Sequence, residues 1–207
     1  MDSLLPLILA ASLLALLSSL VEGAVLTWVR QEAYDWRATG SSLLIAIGRR
    51  ATDLVPLWVA MPGVAWVHQH RLFDIPFTEP WSWLLLFIGV EFCYYWFHRA
   101  SHRMRWFWTN HRVHHSPNQL NLSTAYRLGC FGRLTGALVF FLPLVWLGFD
   151  PRVVVIAFAL NLLYQFWIHA AWIPRLGWLE GVLNTPSAHR VPMLPTWSTC
   201  TPTSAAC

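Results

Sequence analysis

Five strongly apolar stretches of this chain, residues 3–21, 54–70, 80–90, 134–149 and 153–174, carry no Asp, Glu, Lys or Arg. Such runs approach the roughly 20 apolar residues that a helix needs to cross a bilayer. They restrict the fold sharply, because in lipid every backbone N–H and C=O must be satisfied within the protein. The rest of the composition agrees: 56% of residues are hydrophobic and 12% charged, and the mean hydropathy is +0.46. The expected fold is all-α, an integral membrane helical bundle with about four spans and a cytoplasmic histidine-rich metal-binding cap. The shorter runs are expected to be tilted, kinked or re-entrant. The first run reads as a retained span, because Asp2 stands where a signal peptide is basic and the apolar stretch exceeds the roughly 7–15 residues of a signal core.

The basic residues orient the chain. All 14 are Arg, and Arg99, Arg103, Arg105, Arg112, Arg127 and Arg133 fall in a segment, 98–133, that contains no acid. By the positive-inside rule this segment is cytoplasmic. The run ending near Phe97 then crosses inward, 134–149 crosses out and 153–168 returns, so His169 and His189 share a side with the earlier histidines. Arg30, Arg37, Arg49 and Arg50 also fall inside if 54–70 is one span, with the N-terminus outside and Leu43 to Gly48 as a possible interfacial helix. Trp81, Trp83, Trp106, Trp108, Trp172 and Trp178 lie near span ends, where indoles anchor at the membrane interface.

Other chemistries find little support. Cys93 and Cys130 suggest no disulfide framework and no zinc pair. The chain has no GxGxxG, P-loop or internal repeat, and membrane orientation accounts for its net charge of +4, so nucleic acid is not an expected partner.

The chemistry lies in the histidines. His98, His102, His111, His114 and His115 occupy five of eighteen consecutive positions. Residues four apart on a helix share a face, so His98 and His102 can address one ion, and His111 with His114 or His115 repeats the arrangement. Glu91, Tyr95, His98 and His102 form one polar stripe, and Asn161, Gln165 and His169 form another in an otherwise apolar helix. Two such stripes at one membrane face should meet each other rather than lipid. Glu91 either pairs with an Arg or hydrogen-bonds a ligand imidazole or cofactor, whereas His68 and His70 read as interfacial residues. Imidazole suits iron, copper, zinc and nickel alike. The chain offers more histidines than one tetrahedral site can use, so two ions are expected. Iron would add the oxygen chemistry that attack on an unactivated C–H bond requires.

His98-Arg-Ala-Ser-His102 and His111-Arg-Val-His114-His115, preceded by Glu91-Phe-Cys-Tyr-Tyr-Trp-Phe, resemble the first two histidine boxes of the sterol desaturase and fatty acid hydroxylase superfamily. Asn121-Leu-Ser-Thr-Ala125, the segment from Asn161 to His169 and Asn184-Thr-Pro-Ser187 resemble its alkylglycerol monooxygenase branch. The resemblance covers residues 80–191. It implies a non-haem di-iron membrane oxygenase that uses O2 to hydroxylate or desaturate a lipid C–H bond, with a sterol, fatty acyl or alkyl ether as substrate. By position His98, His102, His111, His114, His115 and His189 match box ligands to two Fe ions, and His169 matches an additional histidine. Glu91, Tyr95, Asn161 and Gln165 are candidates for supporting the ligands. Electrons would come from tetrahydropterin or from a separate electron-transfer protein.

The third box departs from the superfamily's approximate pattern, Ser-His-His-Arg-Val-His-His. The chain reads Ser187-Ala188-His189-Arg190-Val191 and then Pro192-Met193. From Pro192 to Cys207 it is rich in Pro, Thr and Ser, uncharged and without helical period. Loss of one nucleotide explains both the lost histidine pair and the changed composition. With one base restored in the Pro192 codon, a permitted coding of the tail reads Val-His-His-Ala-Thr-Asn-Val-Glu-Tyr-Leu-Tyr-Pro-Asn-Phe-Gly-Gly-Val-Leu, which restores the spacing. The domain reading is therefore membrane spans over 1–79, an incomplete di-iron domain over 80–191 and an aberrant, frameshifted tail over 192–207. The chain as written is expected to bind metal weakly and to turn over little. The alternatives are a non-catalytic membrane metal-binding pseudo-enzyme and, less well supported because the boxes lie beyond a span end, a b-type cytochrome.

Overall fold

A leucine-rich run with a single acid opens the computed structural model, which describes residues 4–132 and 135–193. The described residues are helical, with no strand among them. The tail from residue 194 and Arg133 of the basic cluster lie outside the described residues. The chain divides into two units. One comprises residues 1–44, 114–127 and 165–207, the other residues 45–113 and 128–164.

In the first unit, α1 (Leu4–Ala24) continues into a wider π-helical turn, Val25–Val29. It packs on a short 3-10 turn, Leu122–Tyr126. That turn is held by a capping box: the Asn121 side chain accepts from the Ser123 N–H, and the Thr124 hydroxyl accepts from the Asn121 N–H. These bonds satisfy donors that a helix start leaves open. The last helix, α7 (Pro186–Met193), begins with proline, whose missing N–H costs nothing at a helix start.

In the second unit, α3 (Pro80–Arg103) also starts on a proline. Its Leu86, Val90 and Cys93 pack with Phe141, Leu144 and Val145 from the segment containing α5 (Leu142–Leu147), with Phe149, and with Val154 in the first turn of α6 (Pro151–Trp167). Gly148 makes this packing possible. It has φ 126°, and a Cβ there would lie 2.1 Å from the Phe73 carbonyl oxygen, so only glycine fits. The neighbouring backbone is pinned by the Leu72 N–H donating to the Trp146 carbonyl at 2.8 Å.

Several sequence expectations take a different form. The stretch Leu43 to Gln69 is not broken after Gly48 into two helices. It belongs to one 34-residue helix, α2 (Trp36–Gln69), which passes through Arg49, Arg50 and Asp53. The described part of the run 134–149 is not one continuous α-helix either. Left-handed Gly136 and the positive φ of Gly148 bracket a 3-10 turn, Ala137–Phe141, and the six-residue α5. Among the described residues one helical stretch, Leu9–Val29, is both long and apolar enough to cross a membrane, and Ala137–Leu147 and Pro151–Trp167 are apolar but shorter. The six tryptophans near run ends are all exposed, from 37% at Trp108 to 80% at Trp178.

Candidate metal centre

Met104 decides where the first boxes go. Its extended backbone (φ −106°, ψ 123°) ends α3 and lets α4 (Arg105–His111) begin in a new direction. His98 and His102, one turn apart on α3, are joined by His111 at the end of α4. The Nε2 atoms of His98 and His102 are 3.2 Å apart, and those of His102 and His111 are also 3.2 Å apart. The residue before His111 is anchored to a neighbouring segment. The Asn110 side-chain oxygen accepts from the Phe131 N–H at 3.2 Å, and a Cβ on Gly129 would lie 2.1 Å from that same oxygen.

The other histidines assemble in the first unit. His169, just past the end of α6 (Pro151–Trp167), lies with its Nε2 3.2 Å from that of His114 and 3.2 Å from that of His189 on α7. All three rings are buried, at 5%, 4% and 8% exposure for His114, His169 and His189. The first triad is more open, with His102 exposed and His98 and His111 half-buried.

Both triads fit a metal ion. Nitrogens bound about 2.1 Å from one ion lie roughly 3.0–3.4 Å from each other, and the observed separations fall in that range. His169 Nδ1 lies 2.9 Å from the Gln165 carbonyl oxygen. A carbonyl only accepts, so Nδ1 carries the proton and the Nε2 lone pair faces the other two rings, the usual way in which a ligand imidazole is oriented. Burial, followed by the neighbouring His114 and His189, holds His169 well below the usual histidine range. The ring is therefore neutral, as ligation requires.

The split of the second box differs from the expected one. His111 does not pair with His114 or His115 along a helix, because α4 ends at His111 and residues 112–115 form turns. His115 adjoins His114, with ring centroids 5.5 Å apart, and belongs to neither set of three converging nitrogens.

Among the supporting candidates, the buried Asn161 on α6 donates its side-chain amide to the Glu91 carboxylate on α3. Tyr95 turns to Arg99, whose guanidinium donates to its hydroxyl at 2.7 Å. Gln165 contributes its backbone carbonyl to His169. Sequence reasoning missed Tyr94, whose ring stacks on His98 at 5.8 Å and 23°. The signal was available, because Tyr94 lies four residues before His98 and so shares its face.

A fatty acid hydroxylase family model matches residues 83–191. This is more than half of the chain, which belongs to that family. Within it the chain falls in the alkylglycerol monooxygenase-like branch. It is 48% identical over 123 residues to the alkylglycerol monooxygenase of Homo sapiens (59% of this chain, 27% of that protein). It is 40% identical over 152 residues to that of Xenopus tropicalis (73% and 34%), and 44% identical over 126 residues to that of Danio rerio (61% and 28%). The chain thus spans between about a quarter and a third of the length of these relatives. No solved structure matches it.

Proposed function

We propose that this chain carries the site of a membrane-bound di-iron oxygenase that uses O2 to hydroxylate or desaturate a lipid C–H bond. The observation that carries this reading is the pair of histidine triads, in each of which the central Nε2 lies 3.2 Å from the other two. Among sterol, fatty acyl and alkyl-ether substrates, the names of the relatives favour an alkyl ether of glycerol.

His98, His102 and His111 would hold one iron, and His114, His169 and His189 the other, with His115 beside them. Iron, when bound, supplies the O2 activation that an unactivated C–H bond demands. The protein's own work is to hold and orient. Gln165 fixes the proton on His169 Nδ1, Tyr94 restricts the His98 ring, and the Asn161 to Glu91 hydrogen bond ties α6 to α3 below the first triad. A reduced tetrahydropterin or an electron-transfer protein would return electrons between cycles. The Arg-rich segment supports a cytoplasmic face for the boxes in a multi-pass protein with about four spans, where they would meet a lipid just below the headgroups.

On the same reading, residues 1–79 are membrane spans, 80–191 the di-iron domain and 192–207 a frameshifted tail. Ala188 and Pro192-Met193 stand where the family pattern has histidines, which lowers metal affinity and turnover. This observation also favours the second reading, a non-catalytic metal-binding pseudo-enzyme. Sequencing the gene across the Val191 codon tests the tail: in-phase His-His codons one base away support the frameshift, and their absence refutes it. Lipid profiling tests the activity. Cells making the frame-restored protein should lose alkyl-ether lipid relative to cells making its His114→Ala version. Identical profiles would favour the pseudo-enzyme.

A further inference from the structure

Glu22 is the only carboxylate in α1 and lies outside the segment 83–191 that defines the family. It is 6% exposed. A buried carboxylate in an apolar helix is costly unless its oxygens are satisfied. Its partners are two neutral donors rather than an arginine. Oε2 accepts from the Leu122 backbone N–H at 2.7 Å, and Oε1 accepts from the Trp172 indole N–H at 3.0 Å.

Each partner belongs to a ligand-bearing segment. Leu122 opens the 3-10 turn that closes the stretch beginning at His114. Trp172 lies three residues after His169. The third segment joins through the residue after Trp172, because Arg190, adjacent to His189, donates to the Ile173 carbonyl at 3.0 Å.

We infer that Glu22 is a positioning residue for the His114, His169 and His189 triad, each of its two oxygens clamping one ligand-bearing segment so that the three imidazoles converge. This rests on the metal reading above. The side-chain chemistry is specific. Glutamine has one acceptor oxygen, and its NH2 would face a second donor. Aspartate is one methylene shorter.

The test uses the full chain in detergent, titrated with cobalt(II) and followed by visible absorption, in two backgrounds. His98→Ala leaves only the buried triad, and His169→Ala leaves only the open one. Removing a partner that orients ligands typically costs about 10–100-fold in metal affinity. Glu22→Ala should therefore weaken cobalt binding by about that factor in the His98→Ala background, Glu22→Gln should weaken it less, and both should leave the His169→Ala background unchanged. Equal losses in both backgrounds would mean a general structural role and overturn the inference, as would no loss in either. Amide exchange without metal gives a second readout. Glu22→Gln should speed exchange around Leu122 and Trp172. If the His98→Ala chain with Glu22 intact binds no cobalt, the metal reading fails. Exchange then decides the clamp alone, and unchanged exchange overturns it.

Discussion

His111 and His114 are three residues apart, yet each completes a different histidine triad. His111 Nε2 lies 3.2 Å from His102 Nε2, and His114 Nε2 lies 3.2 Å from His169 Nε2. Both follow from the end of α4 at His111, after which residues 112–115 no longer keep helical register. A box that reads as one motif is thus divided between two histidine triads.

The two triads differ in burial, and metal should leave them at different rates. His102 is exposed, whereas His114, His169 and His189 are all below 9% exposure. A chelator added to loaded protein should produce biphasic release, with the fast phase lost in His98→Ala and the slow phase lost in His169→Ala. Stopped-flow absorbance checks this, and a single phase shared by both ions would count against distinct sites.

The Asn161 to Glu91 hydrogen bond should contribute to stability. Asn161 is 7% exposed, so Glu91→Ala leaves a buried amide short of an acceptor, at a cost of about 1–3 kcal/mol. Glu91→Gln should cost less. Unfolding in mixed detergent, run as a double-mutant cycle with Asn161→Ala, should give a non-additive result. Strict additivity would show that the bond contributes nothing.

Stability should also fall at alkaline pH through Tyr34. Burial, opposed by the Thr39 hydroxyl and aided by Glu22, pushes the Tyr34 phenol up to about 12. The neutral hydroxyl donates to the Ser19 carbonyl at 3.4 Å and accepts from Thr39 at 2.9 Å. Because the folded-state value is raised, this contribution is complete below pH 10 and disappears as pH rises through about 12. Tyr34→Phe should flatten the alkaline limb of the stability curve while leaving neutral pH less affected. Tyrosinate absorbance, recorded alongside unfolding, would reveal an ordinary phenol if the account is wrong.

Much of the site was legible because its signals are local. His98 and His102 one turn apart needed only helical geometry, and the two polar stripes do meet at Glu91 and Asn161. What sequence could not show depended on breaks and long-range closure. The break at Met104 redirects His111, and the end of α4 releases His114 to partners 55 and 75 residues further on. The form of the apolar runs was hidden for a related reason. Gly136 and Gly148 break the run 134–149, and α2 runs straight through Arg49 and Arg50, neither of which absence of charge alone reveals. Glu22 was invisible because nothing near it in sequence hints at Leu122 or Trp172.

The most direct test of the central claim is anaerobic titration of the detergent-solubilised chain with ferrous iron, counting equivalents bound at saturation. The chain should take two, His98→Ala and His169→Ala one each, and the double variant none. A single equivalent, abolished by either substitution alone, would contradict two separate triads.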